Sequence, residues 1–346
     1  MTQSITQAPP APVLDRMRRP LRDVRISVTD KCNFRCPYCM PADIYGEDYQ
    51  FAPKAEVLSY EEIVRLARLF VQSGVEKIRL TGGEPLLRRD ITTLIAQMAS
   101  IPGLKDLTLT TNGWFLAEMA ERLKRAGLMR VTVSVDSLDE ATFARMNGRG
   151  YGLQRVLEGI EAALAAGLTP LKVNCVVKRG ENEDGIVDLA RYFRPKGVIV
   201  RYIEYMDVGN RNRWRREDVV SSKEVVERID AVFPLRPVER NYRGEVAERY
   251  RYADGGGEIG VISSITQPFC GDCSRARLST AGQLITCLFA DKGASLRDPM
   301  RAGAGDEALL ARIRAIWGQR VDRYSEEREF LNQLRTRKIE MYQIGG

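Results

Sequence analysis

The first chemical signal is a run of nine residues, Lys31-Cys32-Asn33-Phe34-Arg35-Cys36-Pro37-Tyr38-Cys39. Cys32, Cys36 and Cys39 follow the spacing Cys-x3-Cys-x2-Cys, with Tyr38 just before the third. Thiolates packed this densely usually hold a metal. Three ligands are one short of the four that close a zinc or iron–sulfur site. A cubic four-iron cluster held here would keep one iron free of protein ligands and open to a small molecule. The alternatives are a zinc site completed from elsewhere in the chain, or plain core thiols.

A second group, Cys270, Cys273 and Cys287, follows the spacing Cys-x2-Cys-x13-Cys. The remaining cysteine, Cys175, lies in the apolar stretch 171–177 and reads as a core residue. A second cluster with three protein ligands fits that count; half of a zinc ribbon is the alternative. Between these cysteines lie Arg275 and Arg277. In an extended segment, residues two apart face the same side, so the two guanidiniums would project together. Paired arginines suit phosphates, because each can donate two hydrogen bonds. A solvated charged strand is the bland reading.

Composition narrows the chemistry. The 346 residues contain no histidine, which excludes Cys2His2 zinc sites and every histidine general base. Hydrophobic residues make up 44%, enough for a packed core. Net charge is +7, from 53 basic and 46 acidic residues, which fits a polyanion such as a nucleoside triphosphate or a nucleic acid. Cysteine-rich motifs without a secretory leader point to metal rather than disulfides and to a cytoplasmic protein. No run approaches the length of a membrane span.

The elements that must position these groups can be read from periodicity. Strands are expected at 24–28, 77–80, 107–110, 131–135, 171–177 and 198–205, with helices between them and a last helix reaching Val232. Ser59-x-x-Glu62 is a capping box opening the first helix, and Gly127 is a helix-ending residue. Six strand–helix units imply a parallel sheet with right-handed crossovers, an open partial (β/α)6 barrel of the α/β class. The organisation expected is a loose tail over 1–20, the barrel over 21–235, and a smaller α+β region over 236–346 that covers the open side. In that region, 243–252 and 258–265 are expected to pair as antiparallel strands. Active sites of such barrels lie at the C-terminal ends of the strands. The first cysteine group, Gly82-Gly83-Glu84-Pro85, Thr110-Thr111-Asn112-Gly113, Ser134-Val135-Asp136 and Met206 all fall there. Gly82 and Gly83, lacking Cβ atoms, would let a ligand approach the backbone.

Cys32, Cys36, Cys39 and Tyr38 resemble the signature of the radical S-adenosylmethionine superfamily. Both cysteine groups, the Cys-x-Arg-x-Arg segment and the Gly345-Gly346 end together resemble the GTP 3′,8-cyclase family, from about Leu21 onward. That resemblance implies two [4Fe-4S] clusters, one on Cys32, Cys36 and Cys39 and the other on Cys270, Cys273 and Cys287. It implies S-adenosylmethionine beside Tyr38, Gly83, Ser134 and Met206. GTP would be held by Arg25, Arg79, Thr110, Lys172, Arg275 and Arg277, the last two also serving catalysis. The activity implied is radical closure of GTP to (8S)-3′,8-cyclo-7,8-dihydroguanosine 5′-triphosphate, the first step of molybdenum-cofactor synthesis. The implied partners are an outside electron donor such as flavodoxin or ferredoxin and, downstream, cyclic pyranopterin monophosphate synthase; a homodimer fits the family. No nucleic acid and no membrane enter that reading. The rivals are a radical S-adenosylmethionine enzyme that modifies peptides, and a non-catalytic zinc-ribbon protein that binds nucleic acid. The first usually carries more than three auxiliary cysteines, and the second lacks a stripe of alternating aromatic and basic residues here.

Overall fold

The computed structural model describes residues 12–334 and 338–345. β1 (Asp23–Ser27), α1 (Tyr60–Gln72), β2 (Lys77–Thr81), α2 (Ile91–Ala99), β3 (Asp106–Thr111), α3 (Leu116–Arg125) and β4 (Arg130–Ser134) come first. Two helices then follow, α4 (Glu140–Asn147) and α5 (Gln154–Ala165). β5 (Lys172–Val177), α6 (Ile186–Phe193), β6 (Ile199–Glu204) and α7 (Ser222–Asp230) complete six strand–helix units. β1 to β6 pair in parallel in chain order, as a partial barrel requires.

Local chemistry explains the punctuation. At α1, Ser59 Oγ accepts from the Glu62 N–H at 3.2 Å and Glu62 Oε2 accepts from the Ser59 N–H at 2.7 Å, both halves of the capping box. α3 is closed by Gly127 at φ +98°, a conformation that costs glycine little. Each barrel strand alternates. In β2, Ile78 and Leu80 are fully buried in the apolar core, while Lys77, Arg79 and Thr81 take the other face. The same parity puts Asp23, Arg25 and Ser27 of β1, Thr108 and Thr110 of β3, and Lys172 and Asn174 of β5 on the lumen side.

The remaining elements are β7 (Leu235–Val238), β8 (Glu248–Tyr252), β9 (Glu258–Ile262), β10 (Arg275–Leu278), β11 (Gln283–Ile285), β12 (Ala294–Ser295), α8 (Arg297–Arg301), α9 (Asp306–Gly318), α10 (Arg328–Leu334) and α11 (Met341–Ile344). They do more than cover the barrel's open side. β9 pairs in parallel with β6 and β10 in parallel with β1, so the C-terminal strands extend both edges of one twelve-stranded sheet. β8 and β9 pair antiparallel, over shorter spans than expected. β7 carries the sheet across position 235.

The loose tail expected up to residue 20 is corrected for its described part. Arg19 is fully buried, Asp15 is 5% exposed, and their side chains form an ion pair at 2.6 Å. A buried charge persists only when paired and hydrogen-bonded, so this segment is fixed in place. Residues 1–11 lie outside the described residues.

Candidate active site

One chamber, about 1850 Å³ including its mouth, occupies the barrel's lumen. Of the residues that the resemblance implies for the clusters, S-adenosylmethionine and GTP, all but Arg79 and Lys172 line it. Those two are on the same lumen face, in register with Arg25 and, through Thr132, with Thr110, which do line it.

The first cysteine group lies on the loop after β1. The Cys39 and Met40 N–H groups both donate to the Cys36 carbonyl, at 2.9 and 2.8 Å, forming a tight turn. The Phe34 N–H points at Cys32 Sγ at 3.4 Å. Tyr38 donates to Asp136 Oδ2 at 2.7 Å, tying this loop to the end of β4. Burial, opposed by that bond and one from the Val176 N–H, raises the Asp136 carboxyl to about 6. The Gly82-Gly83 turn has a clear packing reason. A Cβ on Gly82 would collide with the Thr29 carbonyl, and one on Gly83 with the Lys31 carbonyl. These glycines therefore admit the cysteine loop's own backbone, a reason that ligand approach alone did not suggest. Glu84 holds the turn by accepting from the Asn112 N–H at 2.7 Å, Thr111 Oγ1 at 2.7 Å and the Leu86 N–H at 2.9 Å. Burial nonetheless raises its carboxyl to about 7.

The second cysteine group is at the other end of the lumen. Cys270 and Cys273 precede β10, whose first residue, Arg275, is in register with Asp23, the first residue of β1. The second group therefore lies towards the strands' N-terminal ends, away from the C-terminal rim where the sequence placed the first cysteine group. The chamber spans the lumen from one cysteine group to the other.

The cysteine side chains suit clusters. All seven are free thiols. Among the described residues no three cysteine, aspartate or glutamate side chains close on a single point. Burial pushes the Cys32 thiol up to about 12 and also raises the Cys36 and Cys39 thiols well above the usual range. Thiolates in such a place need a metal's charge to offset the burial. Cys273 differs. Burial pushes it up, but Arg275 and Arg320 together bring it down to about 6. Cys175 is buried in the core, as its sequence context indicated.

Between the two groups the lumen is cationic. Arg79, Arg25 and Arg277 stand side by side across β2, β1 and β10. Burial, and then Arg277, Arg275 and Arg79, lower the Arg25 pKa well below the guanidinium range. Burial and Arg275 bring Arg277 to about 10. Among the described residues, the buried Nε atoms of Arg25, Arg201 and Arg275 have no hydrogen-bond partner. Buried donors are normally satisfied, so this cluster is built for an anion. Arg79 is anchored at its base, donating to Thr110 Oγ1 at 2.8 Å and Thr132 Oγ1 at 3.0 Å. Burial, with Arg201 and Arg130 nearby, lowers Lys172 to about 7.

Arg201 and Lys77 were missed by the sequence reading. Arg201 lines the chamber; burial and Arg79 bring it to about 9. Lys77 is 3.6 Å from Asp23 and 3.7 Å from Asp106, below Arg79. The available signal was strand parity: each is a cation on the lumen side of a strand whose other face is apolar. Met206 lines the chamber and packs with Cys287 and Met341 around Phe289. Gly345 also reaches the site. Its carbonyl accepts from Arg277, and it packs against Thr81. Gly346 lies outside the described residues.

Comparison with known proteins agrees with this geometry. Residues 26–193 match the family model described as Radical SAM superfamily, and residues 198–326 match Molybdenum Cofactor Synthesis C. Three proteins named GTP 3′,8-cyclase align along nearly the whole chain. That of Acidothermus cellulolyticus is 53% identical, over 92% of this chain and 89% of its own. Those of Xanthomonas axonopodis pv. citri and Staphylococcus aureus are 51% and 44% identical, over 97% and 96% of this chain and 99% of each relative. Among solved structures, Streptococcus suis SuiB bound to S-adenosylmethionine superposes with a TM-score of 0.53 at 14% identity, over 78% of this chain and 60% of that one. That likeness speaks to the fold alone. At these identities and lengths the relatives settle the matter, and the chain belongs to the GTP 3′,8-cyclase family.

Proposed function

We propose that this chain converts GTP to (8S)-3′,8-cyclo-7,8-dihydroguanosine 5′-triphosphate with S-adenosylmethionine, the first step of molybdenum-cofactor synthesis. One observation carries the reading: one chamber with a three-cysteine group at each end and, between them, guanidiniums whose buried Nε atoms have no partner among the described residues. Cys32, Cys36 and Cys39 would hold one [4Fe-4S] cluster, and Cys270, Cys273 and Cys287 the other. A reduced cluster held by Cys32, Cys36 and Cys39 would supply the one electron needed to cleave S-adenosylmethionine to methionine and a 5′-deoxyadenosyl radical.

The chain's own residues do the positioning. Tyr38, fixed by Asp136, together with Gly83, Ser134 and Met206, lines the S-adenosylmethionine end. Arg25, Arg79, Thr110, Lys172, Arg275 and Arg277 hold GTP, and Arg201 and Lys77 extend that set. A triphosphate supplies the charge that this cluster lacks, and guanidinium forks fit its oxygens. Arg275 and Arg277 sit at the second cysteine group and orient the nucleotide towards it. The covered lumen keeps water from a reactive carbon radical.

The proposed division at 235/236 separates the part that carries the first cysteine group from the part that carries the second, and both parts contribute to the GTP site. GTP as substrate follows from the family. A flavodoxin or ferredoxin donor, cyclic pyranopterin monophosphate synthase downstream, a homodimer and a cytoplasmic setting are supported by the resemblance. No described helix is long and apolar enough to cross a membrane. The test is anaerobic turnover of the reconstituted chain with GTP, S-adenosylmethionine and dithionite. Cyclised nucleotide and 5′-deoxyadenosine should form together in equal amounts. If 5′-deoxyadenosine accumulates at the same rate with GTP omitted and no nucleotide is consumed, the reading fails.

A further inference from the structure

The segment ahead of β1 makes contacts that the reaction above does not use. Asp15 sits in a turn, its Oδ1 accepting from the Met17 and Arg19 N–H groups at 2.9 and 2.8 Å. Its Oδ2 faces two guanidiniums, Arg19 Nε at 2.6 Å and Arg320 Nη1 at 3.4 Å. Each guanidinium then reaches the backbone of a cysteine in the second group. Arg19 Nη1 donates to the Cys270 carbonyl at 2.7 Å and to the Asp322 carbonyl at 2.8 Å. Arg320 Nη1 donates to the Cys273 carbonyl at 2.7 Å. Arg320 Nε points at Asp322 Oδ2 at 3.3 Å, which also accepts from Thr286 Oγ1 at 2.6 Å, next to Cys287. Trp317 closes the arrangement. Its Nε1 donates to the Arg19 carbonyl at 3.0 Å, and its ring lies 4.5 Å from the Arg320 guanidinium.

We propose that Asp15, Arg19 and Arg320 are positioning residues for the second cysteine triad, so that the segment ahead of the barrel is part of that iron–sulfur site. The inference rests on the two-cluster reading above. Cys270 and Cys273 lie in a short loop built on a 3₁₀ turn over Cys270–Asp272, which Arg243 and Glu326 contact from its exposed side. A loop that must offer three sulfurs in a fixed arrangement needs outside support, because the residues around metal ligands set their orientation. One buried carboxylate here orders two guanidiniums, and each fixes one cysteine's peptide. The network reaches all three cysteines, the third through Asp322 and Thr286. Both arginines also bring positive charge beside a site whose thiolates are negative. That charge favours the reduced form of whatever cluster the thiolates hold.

The test uses the full chain reconstituted anaerobically with iron and sulfide, with Arg19→Ala, Arg320→Ala and the conservative Arg320→Lys compared with the parent. Iron is counted, and the two clusters are distinguished by electron paramagnetic resonance, the first by its spectral change on adding S-adenosylmethionine. The parent should hold about eight irons. Each alanine variant should fall towards about four, losing the signal that is insensitive to S-adenosylmethionine and keeping the sensitive one. Arg320→Lys retains charge but lacks the guanidinium fork. It should keep most of the iron, with a lower fraction of the second signal surviving dilution. An alanine variant that keeps all its iron with unchanged spectra overturns the proposal. Equal loss from both sites overturns it too, because that marks general unfolding rather than support of one site. A parent chain that binds only about four irons would instead overturn the two-cluster reading itself.

Discussion

Arg25 and Arg277 stand opposite one another in register on the adjacent parallel strands β1 and β10, and Arg277 is, after burial itself, the largest cause lowering the Arg25 pKa. Nothing about folding favours two buried like charges side by side. Their repulsion is a local cost that the fold tolerates and an anionic ligand relieves. The pair joins the two halves of the chain, since one arginine comes from the first barrel strand and the other from the C-terminal region.

Function and stability should therefore respond to Arg25 with opposite signs. Arg25→Met keeps the side chain's bulk and removes the charge. We expect the ligand-free chain to melt at a higher temperature and GTP affinity to fall by roughly 10- to 100-fold, the loss of one or two charge-assisted hydrogen bonds. Calorimetric melting and GTP titration check this. A variant that melts lower and binds GTP normally would show that Arg25 is a structural residue.

The glycine pair after β2 makes a prediction about the cysteine loop. A Cβ at position 83 meets the Lys31 carbonyl, which is backbone and cannot swing away. Gly83→Ala should cost about 1–3 kcal/mol by overpacking and displace the Cys32 loop. The expected result is reduced iron at the first site with iron at the second retained. Full iron and unaltered S-adenosylmethionine affinity would mean that the loop has room the structure does not show.

Protonation of the lumen lysines gives a pH signature. Burial, reinforced by Arg201 and Arg130, lowers Lys172 to about 7, and burial lowers Lys77 to about 8 against the pull of Asp23. Unfolding returns both to the ordinary range near 10.4. Between those limits the unfolded chain holds more protons, so ligand-free stability should rise as pH climbs from about 7 towards 10. A bound triphosphate favours the charged lysines, so GTP binding at pH 8 should take up protons and weaken as pH rises. Calorimetry in buffers of different ionisation enthalpy measures that uptake, and Lys172→Met should reduce it. Proton release on binding would place the phosphates elsewhere.

Much of this site was legible because its signals are local. Cysteine spacing, the capping box at Ser59 and strand alternation each occupy a few residues. Arg201 and Lys77 were less legible. A cation on an alternating strand reads as solvent-facing until the sheet's curvature is known. The fixed segment at Arg19 was not legible at all, because its hydrogen-bond partners Cys270 and Asp322 lie 251 and 303 positions away. Gly82 and Gly83 were recognised as close-approach positions, but the approaching atoms belong to the protein's own loop.

The C-terminal segment is held some distance from where it acts. Tyr342 Oη lies 2.7 Å from Tyr49 Oη, and its ring packs edge-on against Tyr45 and Phe51. Two residues on, the Ile344 carbonyl approaches Arg277, and the Gly345 carbonyl accepts from it. Tyr342→Ala should release this segment. We expect faster protease cleavage near residue 340 and a several-fold rise in the KM for GTP with iron content unchanged. Tyr342→Phe keeps the ring and should be close to normal. Equal behaviour of the two variants would show that ring packing is not the anchor.

The central claim is that a radical formed at the first cysteine group reaches GTP bound along the arginine row. The most direct measurement is anaerobic turnover with GTP deuterated at the ribose 3′ position, S-adenosylmethionine and a strong reductant, followed by mass analysis of the released 5′-deoxyadenosine. The account predicts deuterium in that product. Unlabelled 5′-deoxyadenosine, formed while the GTP is consumed, would contradict it.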